Sequence, residues 1–447
     1  MPREIVTIQV GQCGNQIGCR FWEMALREHA AYNPDGVYDA ALSSFFRNVD
    51  TRFEPPLNLP VGAGGCRIRG LKARAVVVDT EEGVVNKMAR GPLAEVLDRG
   101  QLLYDVSGAG NNWAHGHHGY GPRYRDALSA RLRRAAEGCD SLQSFLLLHS
   151  LGGGTGSGLG TYILGLLQDE YPGVFRFSAP VFPSEDDHVV TAPYNALLAA
   201  AELARGADCV LPVENQALAD VCARGEQRGS AAGGGGGGGA QAGGGGGGGG
   251  GGASGNLPWD AMNGVAASML LHLTAGVRFE GSLNVDLNDI TSNLLFTDAF
   301  SRDHQLIWAE PRAHTFLATA LLLRGGAGVG DAQRNVARLR RGLRFAHWNQ
   351  EGFKIGLCSQ PPVGLPHSLL ALSNNCCVTD TLGALQARFG KLYKRRLFLH
   401  HYLEYMEPAG FDEAAEAVAA VAEDYRAADG ARPGPVARLR PRGLGFV

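Results

Sequence analysis

The sequence lacks the features typical of secreted, membrane-spanning and nucleic-acid-binding proteins. Its nine cysteines include no Cys-x-x-Cys pair, so neither a disulfide framework nor a zinc ribbon is expected. No apolar run reaches membrane-spanning length, and the opening residues MPREIVTIQVGQ contain no signal-peptide core. A formal net charge of -3 predicts no broad basic surface for nucleic acid or a membrane. These absences predict a cytosolic protein with reduced thiols.

Glycine, in contrast, is in excess, with 64 residues of 447. Residues 233 to 252 are glycine except for Ala240, Gln241 and Ala242, a composition that predicts a disordered linker because it offers nothing to bury. The chain as a whole is 45% apolar and 19% charged, which is ordinary for a globular protein. Its length predicts about two or three domains.

The most informative stretch runs from residue 145 to 160, FLLLHSLGGGTGSGLG. Its apolar start predicts a buried strand, and the spacing of residues 159 to 169 predicts a helix after the glycines. A strand, a glycine loop and a helix N-terminus in this order form an anion site, because backbone N–H groups converge there and the helix dipole adds positive potential. The loop has neither the Walker A pattern nor the Gly-x-Gly-x-x-Gly spacing of a dinucleotide fold.

Three strand–loop units precede this stretch. Residues 4 to 10 predict a strand that meets the loop GQCGNQ, with a helix expected over residues 17 to 29. The buried strand RAVVVD ends in Asp79, and Glu81 lies just beyond it. A strand edge at residues 103 to 106 is followed by the small-residue loop SGAGNNW. Carboxylates at the carboxyl end of a parallel strand lie where ligands bind, and beside a triphosphate they usually hold Mg²⁺.

Two other segments are predicted to be irregular. Residues 32 to 70 are rich in Pro, Gly and Asn and predict a long loop. His115, His117 and His118 follow the third small-residue loop, and a metal site is conceivable there. Adjacent histidines in a glycine-rich loop have poor chelating geometry, so a solvated loop is favoured.

The loop sequences GGGTGSG, VGQCGNQIG, VDTEEG and GAGNNWA resemble those of the tubulin superfamily, and they occur in the family's order. Later segments such as VTAPYN and WNQEGFKIGLCS extend the resemblance over nearly the whole chain. It implies an α/β fold with an N-terminal Rossmann-like GTPase domain containing a parallel sheet, a central helix, an α/β intermediate domain and a C-terminal helical hairpin. The implied boundaries are 1–222 for the nucleotide domain, 223–256 for the glycine-rich insertion, 257–277 for the central helix, 278–383 for the intermediate domain, 384–428 for the C-terminal helices and 429–447 for a basic tail.

The resemblance implies that the chain binds GTP with Mg²⁺. Guanine would lie between Asn215, Asn263 and Trp259, with Trp259 standing where tubulins have Tyr. Asp187 would compensate near the sugar for Ala192, where α- and β-tubulin carry Glu. Glu81 is the implied magnesium ligand, with Asp79 as its partner. The residues implied to contact the phosphates and nucleoside from the loops are Gly11, Gln12, Cys13, Gln16, Gly108, Ala109, Gly110, Asn111, Ser150, Gly153, Gly154, Thr155 and Gly156.

Two classes of function remain open. Asp289 matches the acid that α-tubulin presents to the nucleotide of the next subunit, so hydrolysis would be completed at a subunit interface. Within the family, the segments FWEMALREHA and SSFFRNVDTR and the absence of an acidic tail resemble the epsilon group, found in centrioles and basal bodies. The stretch from residue 294 to 344 departs from filament-forming tubulins where they place lateral contacts, which favours a structural cytoskeletal protein that keeps GTP. The alternative is a conventional microtubule-forming subunit with active GTP turnover. The implied partners are other tubulins, delta-tubulin or alpha/beta-tubulin among them, in a hetero-oligomer or polymer.

Overall fold

The computed structural model of the chain describes residues 3–36, 38–54, 56–62, 68–184, 187, 189–232, 259–279, 304–326 and 328–433. The strands in these ranges are β1 (Glu4–Val10), β2 (Phe46–Asp50), β3 (Leu57–Leu59), β4 (Leu71–Ala73), β5 (Ala75–Val78), β6 (Leu102–Leu103), β7 (Leu142–Ser150), β8 (Phe175–Phe182), β9 (Cys209–Val210), β10 (Val213–Glu214), β11 (Phe316–Gly325), β12 (Phe353–Cys358) and β13 (His367–Asn375).

The helices are α1 (Gly11–Tyr32), α2 (Glu82–Arg90), α3 (Gly121–Glu137), α4 (Gly160–Glu170), α5 (Ala192–Gly206), α6 (Asn215–Ala232), α7 (Trp259–Leu273), α8 (Ala275–Arg278), α9 (Val329–Arg340), α10 (Val378–Tyr393), α11 (His400–Leu403) and α12 (Ala409–Gly430). Wide π-helical turns, His115–Tyr120 and Thr155–Leu159, lead directly into α3 and α4. Short 3-10 turns occur at Ala40–Ser44, Arg99–Gln101 and Pro311–Ala313.

A parallel sheet with the strand order β10-β8-β7-β1-β5-β6 forms the centre of the N-terminal half, and β9 pairs with β8. Every residue of β1 is buried, Thr7 and Gln9 included. Burial of both faces is expected for a parallel sheet whose connections place helices on each side. Alternate side chains of β1 therefore enter different cores, Ile5 on the side of α1 and α7, and Val6 on the side of α3, α4 and α5.

The C-terminal helices pack on the second of these cores. Both α10 and α12 contact α5, and they contact each other as a hairpin. An aromatic cluster of Tyr194, Phe389, Tyr402 and Phe411 joins them, with ring centroids 5.4 to 5.7 Å apart around Tyr194. The last helices are thus part of the core of the N-terminal half, so their removal would lower the stability of that half.

Two short strands, β2 and β3, lie within the stretch from residue 32 to 70 that was predicted to be a long loop, and with β4 they form the small antiparallel sheet β3-β2-β4. That prediction was wrong because strands of three to five residues between prolines and glycines leave too little periodicity to recognise. Tertiary packing holds them instead. Phe46 of β2 is fully buried, with its ring centroid 5.5 Å from that of Trp22 on α1.

The second half contains a three-stranded mixed sheet, β12-β11-β13. β11 runs parallel to β12 and antiparallel to β13, and α9 covers one face through Ala332 and Leu339. From the other face, Ala320 and Leu322 of β11 enter the core formed by α1 and α7. The central helix α7 therefore lies between α1 and the second sheet, and it contacts both α1 and the strands β11 and β13.

A buried ionic cluster joins these parts. Glu28 on α1 forms ion pairs with Arg278 on α8 at 2.7 Å and with Arg324 on β11 at 2.8 Å, and none of the three side chains is more than 4% exposed. Arg278 also donates to the hydroxyl of Thr274 and to the carbonyl of Leu271. One carboxylate thus connects the first helix, the end of the central helix and the second sheet.

The predicted fold class is confirmed, including the parallel sheet, the central helix and the C-terminal hairpin. The sequence also predicts a strand over residues 175 to 182, and β8 has those limits in the structure. The glycine-rich run and Asp289 lie outside the described residues. Among the helices that the structure describes, none combines the length and the apolar character needed to cross a bilayer.

Candidate functional site

Nearly all the predicted site residues in the described ranges follow the carboxyl ends of the parallel strands. β10 leads to Asn215, β8 to Asp187, β7 to residues 150–156, β1 to residues 11–16, β5 to Asp79 and Glu81, and β6 to residues 107–113. Because these strands are adjacent and parallel, the loops that follow them lie side by side along one edge of the sheet, in the order of the strands.

The loops approach one another at glycines. A methyl group on Gly11 would lie 3.0 Å from the amide nitrogen of Gly156, and one on Gly154 would lie 2.6 Å from that of Asn112. Gly11 also has a φ of +72°, which side-chain-bearing residues rarely adopt. Glycine is therefore required here for the 11–16, 107–113 and 150–156 segments to touch.

Two helices direct their N-termini at these loops. α1 begins at Gly11, and the turn at Thr155–Leu159 continues into α4. The sequence had predicted a loop over residues 11 to 16, whereas these residues already form the first turns of α1. Gln12 is exposed there, and Cys13 and Gln16 are half-buried. Unpaired N–H groups and the helix dipole favour an anion at both places.

The space above Gly153 is surrounded by polar atoms. Apart from its chain neighbours, a methyl group at that position would have only Asn111 Oδ1 at 3.7 Å and Ser150 Oγ at 3.9 Å within 4 Å. The hydroxyl of Thr155 forms a hydrogen bond with that of Thr80 on the next loop. The opening above Gly153 leaves room for a phosphate to approach the glycine backbone closely, with the Ser150 hydroxyl as a donor beside it.

The 107–113 loop has an unusual backbone. Gly108, Gly110 and Asn111 all have positive φ values, of 66°, 58° and 52°. Asparagine is one of the few residues with a side chain that tolerates this region. Ala109 between them is buried, and its carbonyl accepts from the N–H of Asn112 at 3.0 Å.

The two acids of the magnesium prediction have different surroundings. Asp79 is buried and accepts from Asn15 Nδ2 at 3.2 Å and from the N–H of Thr80 at 2.8 Å. Burial raises the pKa of Asp79 to about 6 against these donors. Glu81 is exposed, and its Oε1 would lie 2.7 Å from a methyl group on Gly108. Asp79 therefore fixes the loop through these hydrogen bonds, and its place as the partner of Glu81 at magnesium stays a prediction.

The structure also assigns a central position to Asn195, which the sequence analysis did not single out. Its Nδ2 donates to the carbonyls of Asn111 and Gly152, both at 2.8 Å. Its Oδ1 accepts from the N–H of Trp113 at 2.8 Å and from the hydroxyl of Tyr402 at 2.5 Å. The signal in the sequence is slight, an asparagine just inside a helix that begins with Ala-Pro-Tyr.

The far side of the site contains the residues predicted for the sugar and base. Asp187 lies beside Gly152, its Oδ2 3.6 Å from a methyl group placed there. Burial, together with the charge of Asp187, raises the pKa of Cys13 to about 12, so the thiol stays protonated beside that acid. Asn215 and Trp259 are the first residues of α6 and α7, which pack together, and Trp259 is 47% exposed. Asn263, one turn further along α7, is half-buried.

The three histidines do not form a solvated loop, contrary to the prediction. His117 stacks on Trp113 with ring centroids 4.5 Å apart, and burial lowers the pKa of His117 to about 3. His115 stacks on Tyr405 at 4.6 Å. Within the described ranges, no group of three or more His, Cys, Asp or Glu side chains is arranged to hold a metal ion. A cation at Glu81 would therefore need further ligands from a bound anion, as Mg²⁺ commonly takes from phosphates.

Comparison with known proteins gives matches over both halves of the chain. The Tubulin/FtsZ family GTPase domain matches residues 4–223, and the Tubulin C-terminal domain matches residues 283–387. The chain is 48% identical to the Tubulin epsilon chain of Mus musculus, over 96% of this chain and 97% of that protein. It is 47% identical to the Tubulin epsilon chain of Homo sapiens, over 97% and 98%. The Tubulin alpha-3 chain of Saccharomyces cerevisiae is 31% identical, over 95% and 97%.

Proposed function

This chain belongs to the tubulin family and is a GTP-binding cytoskeletal protein of that family, and we propose that its GTP lies along the edge formed by the carboxyl ends of the parallel strands. The observation that carries the proposal is the meeting of three glycine-containing segments and two helix N-termini at that edge. The phosphates would contact the 11–16, 107–113 and 150–156 segments, because these segments meet at glycines beside two helix N-termini.

The nucleoside would extend toward α6 and α7. Trp259 is exposed and can stack on a purine, and the amides of Asn215 and Asn263 can pair with its edge. Asp187 is suited to the ribose. Glu81 would hold Mg²⁺ together with phosphate oxygens, and the ion would supply charge neutralisation for the phosphates.

We further propose that GTP is retained as a structural cofactor and is hydrolysed only at an interface with another tubulin subunit. Asp289 of one subunit would be the acid that completes the site of the next. The greater identity to epsilon chains than to the yeast alpha chain supports a role in centrioles and basal bodies, in the cytoplasm. A conventional microtubule-forming subunit with steady GTP turnover is the alternative. Delta-tubulin or alpha/beta-tubulin would be the partner in either case.

The test is the nucleotide content and turnover of the purified chain, alone and mixed with candidate tubulin partners. We expect about one guanine nucleotide per chain, recovered as GTP when the chain is alone. GDP that forms only with a partner, and not with Asp289→Ala, would support interfacial hydrolysis, and Asp286→Ala in the same segment is the matched control. Hydrolysis by the isolated chain would contradict the interfacial mechanism, and absence of guanine nucleotide would contradict the binding site itself.

A further inference from the structure

We propose that Asn195 and Tyr402 form a positioning pair that fixes the 107–113 loop against the 150–156 loop, so that the segment before the last helix determines the preference for GTP over GDP. The inference rests on the proposed placement of the phosphates. It concerns Asn195, which contacts both loops, and Tyr402, which contacts Asn195, and neither residue is among the predicted ligand contacts.

Asn195 has no unused hydrogen-bonding capacity. Both N–H groups of its amide donate, one to the carbonyl of Asn111 and one to that of Gly152, and its oxygen accepts from Trp113 and Tyr402. The side chain is fully buried. Because two of these bonds go to the 107–113 loop, one to the 150–156 loop and one to Tyr402, the amide holds the two loops at a fixed separation.

Tyr402 reaches this amide from the C-terminal part of the chain. Its ring is fully buried against Tyr194 and Phe411, with centroids 5.4 and 5.5 Å away. Burial raises the pKa of the Tyr402 hydroxyl well above its usual value, so the group remains a proton donor at any physiological pH. The Trp113 N–H and the carbonyls of Asn111 and Gly152 orient the Asn195 amide, since reversal would set N–H against N–H and oxygen against oxygen. In that orientation the Tyr402 hydroxyl donates to Oδ1 and holds the amide from the C-terminal side.

Further contacts join the same loop to the same segment. Asn112 Nδ2 donates to the carbonyl of His401 at 2.7 Å, and the ring of His115 stacks on Tyr405. Within the segment, Arg396 and Phe398 have positive φ values of 52° and 57°. Such backbone is uncommon for residues with side chains and persists where surrounding contacts determine it. The segment of residues 394–408, between α10 and α12, therefore packs in a fixed conformation against the 107–113 loop.

The small residues of the 107–113 loop, SGAGNNW, predict that its N–H groups contact the terminal phosphate, which GTP carries and GDP lacks. A loop that is less well fixed must be ordered on binding, and that cost falls on the nucleotide that carries the terminal phosphate. Weakening the pair should therefore reduce GTP affinity more than GDP affinity. A role confined to folding would reduce stability and leave the ratio of the two affinities unchanged.

The experiment compares Tyr402→Phe with the matched control Tyr425→Phe in the full chain. Tyr425 also donates its hydroxyl to an asparagine, Asn374 at 3.0 Å, but it lies on α12 away from the loops. Dissociation constants for GTP and GDP and the unliganded melting temperature are measured for each. We expect Tyr402→Phe to raise the GTP dissociation constant roughly three- to tenfold, the contribution of one hydrogen bond, and the GDP constant by less than about twofold. Tyr425→Phe should change neither.

A second measurement does not depend on the nucleotide. Amide hydrogen exchange at Asn111, Asn112 and Trp113 should be faster in unliganded Tyr402→Phe than in the parent chain, and unchanged in Tyr425→Phe. An unaltered ratio of GTP to GDP affinity, or unaltered exchange at these amides, would overturn the positioning role. Failure of the parent chain to bind GTP would instead overturn the proposed function, while the exchange comparison would still decide whether Tyr402 fixes the loop.

Discussion

Replacement of Glu28 by Gln should destabilise the protein strongly, because it leaves two buried guanidinium groups without a counter-charge. Arg278 and Arg324 would keep hydrogen bonds to main-chain carbonyls, but their positive charges would face each other in the interior. Removal of one partner from a buried ion pair typically costs about 3–5 kcal/mol. We expect the free energy of unfolding to fall by roughly that amount.

Glu23→Gln is the matched control. Glu23 lies on the same helix and also pairs with two arginines, Arg20 at 2.7 Å and Arg27 at 2.6 Å, but its side chain is 38% exposed. Exposed pairs at this helical spacing contribute about 0.3–0.5 kcal/mol each. The control should therefore lose about 1 kcal/mol or less, although the atoms changed are the same.

The assay is urea denaturation followed by fluorescence and circular dichroism, whose coincidence tests for a single transition. The pH dependence gives a second criterion. Burial alone would raise the pKa of Glu28, but Arg278 and Arg324 outweigh it and hold that pKa below its usual value. The stabilisation by Glu28 is therefore present above the unfolded-state pKa of about 4.3 and is lost as the pH falls through the folded-state pKa. A deficit in Glu28→Gln no larger than that in Glu23→Gln at pH 7 would refute the reasoning.

Three further changes have definite expectations. Gly11→Ala should lower the free energy of unfolding by about 1–2 kcal/mol and weaken GTP binding, because Gly11 has a positive φ and contacts the 150–156 loop. The control Gly83→Ala, in open space on α2, should be neutral or stabilising in the same urea titration. Burial raises the folded-state pKa of Asp79 to about 6, so the parent chain loses stability as the pH rises from 4 to 7. The free energy of unfolding of Asp79→Asn, relative to that of the parent, should therefore increase by roughly 2–3 kcal/mol over this range. A difference between the two that stays constant from pH 4 to pH 7 would contradict the assigned burial. Glu81→Gln should raise the Mg²⁺ concentration needed for half-maximal GTP retention on a desalting column about tenfold, with Glu82→Gln unaffected; equal shifts would exclude Glu81 as the specific ligand.

The sequence predicted those parts of the fold that depend on local signals. The buried run of β7 followed by glycines was recognisable as a strand and turn, and β8 was located to the residue. The small sheet was missed because β2 pairs with β4 across more than twenty intervening residues, so no local pattern records it. The start of α1 was placed too late because glycine and asparagine, typical of loops, fill its first turns.

The same distinction applies to the candidate site. The segments around Gly11, Gly108 and Gly153 were identifiable because glycine is required where backbones approach. The role of Asn195 was not, since its partners are 43 to 207 residues away in the sequence. The hydrogen bond between Asn15 and Asp79 was not predicted for a similar reason. Asn15 lies on α1, 64 residues away from Asp79 in the sequence, and only the assembled sheet brings the two together.

The contacts made by Tyr402 and His401 have a consequence for the synthesis of the chain on the ribosome. Tyr402 is translated 207 residues after Asn195, and His401 is translated 289 residues after Asn112. Translation proceeds at about 5–20 residues per second, so roughly 10 to 60 s pass between the synthesis of Asn112 or Asn195 and that of the residue each one contacts. During that interval the N-terminal half has its strands, but Asn195 and Asn112 lack their contacts with Tyr402 and His401. If the proposed placement of the phosphates and the positioning role of Tyr402 hold, a nascent chain stalled before residue 402 should bind GTP more weakly than the finished chain, and its Tyr194 ring should lack the contacts with Tyr402 and Phe411.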